Sequence, residues 1–107
     1  MSQHYFQTTC KGEPVWVLMG WDRPLQGYFL MIEAIQRDAY IYSNLEDPKL
    51  RQCFGLPPAL DYFLGKLREL GVEVPARMID EIKSDGDKDL GHRHVVYDAD
   101  GNIQSER

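Results

Sequence analysis

VWVLMGWDRPLQGYFLMIEAI, residues 15 to 35, is the stretch whose reading decides the fold. Two runs of β-branched and aromatic residues, 15 to 21 and 28 to 35, flank a segment carrying Asp22, Pro24 and Gly27, and strands joined by a turn are what those residue types favour. Turn chemistry explains three of the linking residues: Asp22 can bond the backbone ahead, Pro24 fixes a dihedral, and Gly27 lets the chain re-enter a strand. It does not explain Trp21, Arg23, Leu25 and Gln26. Trp and Arg are enriched at binding hot spots, so these four residues form a candidate protein-binding tip.

Side chains alternate across a strand, which sorts these residues onto two faces. Val15, Val17, Met19 and Trp21 point one way with Tyr28, Leu30, Ile32 and Ala34, while Trp16 and Leu18 point the other way with Phe29, Met31 and Ile35. Both faces are apolar. An antiparallel sheet covered on one side alternates apolar with polar residues, so this sheet calls for a second cover, supplied by the chain's own loops or by another molecule.

Working outward, residues 4 to 10 (HYFQTTC) pair with 15 to 21 through the turn KGEP, and AYIYS at 39 to 43 is a weaker fourth strand, so the first half is an antiparallel meander. From Asn44 to Gly55 the chain predicts one short helix, with Asp47 as cap, Pro48 at the first position and Gly55 as stop. Leu60, Phe63, Leu64, Leu67 and Leu70 recur at helical spacing, and Gly71 ends that helix. A second helix spans 75 to 84, with Met78, Ile79 and Ile82 as its apolar stripe. A C-terminal strand, RHVVY at 93 to 97, precedes the turn DADGN and a frayed tail at 102 to 107. The fold class is therefore α+β: an antiparallel sheet of about four or five strands, with two main helices on one face as an αα-hairpin.

At 107 residues with 43% apolar content, residues 1 to 107 suit one small domain. The formal net charge of -5 argues against direct nucleic-acid binding, which rests on clustered Lys and Arg. Acidity concentrates at the C-terminal end, where residues 73 to 107 hold nine acids against five bases. No secretory leader and no membrane-length apolar run is visible, and two unmotivated cysteines suit a reducing compartment, so a cytoplasmic location is expected with no membrane partner.

Site motifs are sparse. Asp85, Asp87 and Asp89 alternate as in a calcium loop, but its sixth and twelfth positions hold Leu90 and Val96 where Gly and Glu are needed, so DGDKDLG predicts a solvated acidic connector. His92 and His94 can share a face with Asp89 or Asp98, and His4 is a conceivable third ligand, but two ligands alone make no metal site. There is no nucleophile elbow, phosphate loop or dinucleotide fingerprint. Glu33, inside the apolar third strand, is either a buried acid-base group or a carboxylate near a strand end that faces water or pairs with a basic neighbour. The helix pair lacks the basic recognition face of a helix-turn-helix, since Arg77 and Lys83 are balanced by Asp80 and Glu81.

The expectation is a small acidic protein-interaction or regulatory module, without a cofactor, acting through the sheet face and the 21 to 27 loop on a protein partner or as a homodimer. One alternative is an acidic inhibitor or nucleic-acid mimic that fills a basic groove with Asp80, Glu81, Asp85, Asp87 and Asp89. A second is a small-ligand binder or enzyme, which needs a pocket lined by polar groups.

Overall fold

The computed structural model describes residues 1 to 107. Strands β1 (Ser2–Cys10), β2 (Glu13–Asp22), β3 (Gly27–Ala34) and β4 (Tyr40–Ser43) are followed by two 3-10 segments, Asn44–Glu46 and Pro48–Cys53. Helices α1 (Asp61–Leu70) and α2 (Ala76–Asp87) lead to β5 (Arg93–Tyr97) and β6 (Ile103–Glu106). All six strands form one sheet in the order β4-β3-β2-β1-β5-β6.

The α+β class is as the sequence predicts, but the sheet is mixed rather than antiparallel. β1 to β4 are the expected meander, whereas β5 pairs parallel to β1, with Ser2 opposite Arg93 and His4 opposite Val95. The cause is the connection: the chain crosses one face through both helices and returns beside β1 in the same direction, which a hairpin cannot do. The C-terminal segment pairs with β5 as β6. Glu106 lies opposite Val95 and Ser105 opposite Val96, and Arg107 and His94 exchange backbone hydrogen bonds of 2.7 and 2.8 Å.

Both helices cover the same face. Phe63 and Leu67 of α1 and Met78 and Ile82 of α2 join Val15, Val17, Met19, Trp21, Tyr28, Leu30 and Ile32 in a core of 18 buried residues. The predicted single helix at 44 to 55 is two 3-10 segments instead. Asp47 separates them, accepting from the Lys49 amide at 3.0 Å, and Phe54 with Gly55 ends the second in left-handed backbone. Leu50 of that segment enters the same core.

The turn at 23 to 26 obeys a different constraint from the one its glycine suggests. Gln26, not Gly27, takes the left-handed conformation, with φ of 54°. Gly27 is required by crowding, because a Cβ there would strike the Leu56 carbonyl oxygen and lie 2.6 Å from the Leu56 Cβ.

α2 is longer than its apolar stripe predicts and runs one turn further, through Asp85 and Gly86. Ser84, Asp85 and Gly86 are poor helix formers, but Asp85 continues the buried row Met78–Ile82–Asp85 at helical spacing, and tertiary contacts override propensity. Gly86 lies against Tyr28: a Cβ there would collide with the Tyr28 hydroxyl and lie 2.7 Å from its ring carbon Cζ. Gly65, within α1, has open space around it. These two helical glycines should therefore respond oppositely to alanine. Gly65→Ala is expected to raise the unfolding free energy by up to about 1 kcal/mol, the ordinary gain from removing a helical glycine. Gly86→Ala should lower it by about 1 to 3 kcal/mol through overpacking, and paired denaturant titrations measure both.

Candidate functional site

The helices cover one face of the sheet and leave the other without a layer of its own. Register arranges that second face in rows: Trp16 lies opposite Glu33, and Glu33 opposite Tyr40, while in the next row Leu18 lies opposite both Met31 and Tyr5. Trp16, Leu18, Met31 and Tyr5 are half-buried, and Glu33 and Tyr40 are exposed. Only the end of the face near Phe29 is sheltered. There the segment 44 to 57 folds around the β3 edge: the Asn44 Nδ2 donates to the Gly55 carbonyl at 2.9 Å, and the Tyr28 amide donates to the Pro57 carbonyl at 2.9 Å.

Two adjoining depressions run along this face. One, of about 250 Å³, is lined by Tyr5, Trp16, Leu18, Met31, Glu33 and Tyr40. The other, of about 350 Å³, shares Leu18 and Met31 with it and is bounded by Leu25, Leu45, Phe29 and Leu56. Leu25 and Leu45 are 63% and 65% exposed, which leaves apolar surface at the rim as well. The surface is predominantly apolar and aromatic, with Glu33 the carboxylate of the first depression and Asp22 that of the second.

The four residues of the candidate tip separate. Trp21 is buried on the helix-covered face, its ring 4.9 Å from that of Tyr28 and its indole N–H donating to Asp89 Oδ1 at 2.9 Å. Gln26 is exposed but donates to the same oxygen at 2.8 Å, and Arg23 pairs with Asp89 at 3.5 Å. Hydrogen bonds from Trp21 and Gln26 hold the Asp89 carboxyl below the usual carboxylate range. Asp89 is thus the post to which the loop is tied. Leu25 alone has a side chain free of such ties, and it lies on the rim of the uncovered face.

The acidic set separates too. Asp80 and Asp87 are exposed, and Glu81 accepts from Arg93 at 2.6 Å. Asp85 is not part of a solvated connector: it is fully buried inside α2, where its Oδ2 is 2.6 Å from His4 Nε2 and its Oδ1 accepts from Arg93 at 2.9 Å. His4, also fully buried, places Nδ1 2.8 Å from the Tyr97 hydroxyl. Burial pushes the Asp85 carboxyl up, but hydrogen bonds from His4 and Arg93 outweigh it and hold it below its ordinary value. Arg93 is kept charged by Glu106, Glu81 and Asp85. The sequence signal for this cluster was Asp85 at the next helical position after Ile82 together with a histidine at an inward position of β1.

The remaining candidates fall on different sides of the sheet. His4 faces the core, while His94 stands on the uncovered face, its ring 4.8 Å from Tyr5, so the two cannot share one ion. His92 is exposed ahead of β5. Glu33 faces water, the second of its two predicted settings. The chain matches no family model, no curated protein and no solved structure.

The buried cluster carries a stability prediction. Asp85→Asn leaves Arg93 and His4 without their shared carboxylate and should cost about 3 to 5 kcal/mol of unfolding free energy. Because the folded-state value of Asp85 is depressed, its contribution is fully present above the ordinary carboxylate value and is lost as pH falls through the folded one. The gap between wild type and Asp85→Asn should therefore narrow as pH falls below about 4, as urea titrations across the acid range would show.

Proposed function

We propose that the chain is a protein-binding module whose working surface is the uncovered face of the sheet, extended at one end by Leu25. One observation carries this: Trp16, Leu18, Met31, Tyr40, Leu45 and Leu25 form contiguous apolar surface that no helix of the chain covers. Monomeric proteins rarely leave such surface without a use. The molecule is a slab of 33 × 32 × 22 Å, and a broad face of that extent is large enough to supply the roughly 800 Å² per partner that specific complexes bury. A partner protein and a second copy of the chain are both served by this surface. Trp21 contributes to it indirectly, by holding the loop.

The acidic-inhibitor reading has less to stand on. Asp85 offers nothing to solvent, and Glu81 and Asp89 are engaged within the chain, so Asp80 and Asp87 are left as its free carboxylates.

The two readings separate experimentally. A double variant, Leu18→Gln with Met31→Gln, alters half-buried positions and should keep the folded state within about 2 kcal/mol of wild type. It is expected to lose the partners recovered by affinity purification from the native cell, or the dimer mass seen by light scattering. Retention of both by this variant, with their loss from Asp80→Asn/Asp87→Asn, would reject the sheet face in favour of the acidic surface.

A further inference from the structure

The row Trp16, Glu33, Tyr40 across β2, β3 and β4 brings a carboxylate between two aromatic rings. Tyr5 closes a third side, meeting the Trp16 ring edge to face with centroids 6.3 Å apart. Glu33 is the one ionised group in this 250 Å³ depression, and it belongs to none of the chain's ion pairs. The nearest arginine in sequence, Arg37, is committed elsewhere, donating to both oxygens of Glu13 at 2.6 and 3.0 Å.

Each class of occupant meets different chemistry here. An anion is repelled by the carboxylate and by the negative faces of the rings. A purely apolar group would bury Glu33 without a partner, at a large desolvation cost. A cation gains from both, since ring faces attract positive charge and the carboxylate neutralises it. Among cationic side chains a guanidinium fits best: it is flat, weakly hydrated, stacks on aromatic rings and presents two parallel N–H groups to a carboxylate.

We infer that this depression is the anchor pocket for an arginine side chain of the partner, stacked against Trp16 or Tyr40 and paired with Glu33. The inference rests on the uncovered face being the binding surface. It adds the partner's chemistry: a segment with one arginine amid apolar residues, which lie along the stripe Leu18–Met31 toward Leu25. The net charge of -5 favours the approach of such a segment.

The test uses the two tryptophans as opposed reporters in an NMR titration of the ¹⁵N-labelled chain with N-acetyl-arginine amide. The Trp16 indole cross-peak should move saturably while that of Trp21, buried on the other face, stays in place. The citrulline analogue, equal in shape and uncharged, should leave Trp16 unmoved, and tetramethylammonium should bind more weakly than the arginine compound. Glu33→Gln, at an exposed position without partners, should fold normally and bind about fivefold more weakly, the effect of losing one surface charge pair. Equal binding of citrulline, equal binding by Glu33→Gln, or tetramethylammonium binding as tight as arginine would overturn the assignment. If Trp16 does not respond while Leu18→Gln/Met31→Gln still strips the native partners, the arginine pocket fails alone. If that double variant also keeps its partners, the face and the pocket fail together.

Discussion

The contact between His4 and Asp85 is the constraint on which the architecture depends. It joins the first strand to the last turn of α2, and through Arg93 and Tyr97 it also reaches β5, so three elements distant in sequence meet at one buried polar point. A buried charge cluster contributes little net stability compared with a well-packed apolar one, but its partners must all be present together, because an isolated member is heavily penalised. Such a cluster selects among arrangements. Any register that moved β5 one residue along β1 would turn Val95 and Tyr97 out of the core and strip Asp85 of Arg93.

A second polar point repeats this logic at the other end of the sheet. Asp47 accepts from the hydroxyls of Tyr42 and Tyr62 at 2.6 and 2.7 Å, and Lys66 sits over both rings, 5.5 and 5.9 Å from their centroids. The Tyr62 hydroxyl is pushed up to about 12, by burial first and by its bond to Asp47 next. β4, the 3-10 segment and α1 are thereby fixed to one another. With the helices pinned at both ends of one face, neither is free to shield the other.

How far the sequence discloses this depends on the range of the interaction. The meander, α1 with its Gly71 stop, and the split of the strands into two faces rest on local periodicity, and residues 15 to 35 display it plainly. The parallel β1–β5 pair was not legible, because its partners are separated by most of the chain and β5 is short. The last turn of α2 was hidden for a chemical reason: Asp85 and Gly86 look like a loop until the histidine and tyrosine that hold them are known. Trp21 was misleading in the opposite sense, since its position in a turn suggests solvent, whereas strand alternation puts it with Met19 in the core. The uncovered face was foreseeable from Trp16, Leu18 and Met31, but the grouping of Glu33 with Trp16, Tyr40 and Tyr5 needed the registers of three strand pairs.

The seam between β1 and β5 also orders events in time. β1, β2 and β3 can pair through short turns, but the far edge of β1 stays bare until Arg93 and its neighbours arrive opposite Ser2. Closing so long a loop is entropically slow compared with forming a hairpin. During that interval the emerging sheet presents an unpaired edge of the kind that invites misassembly.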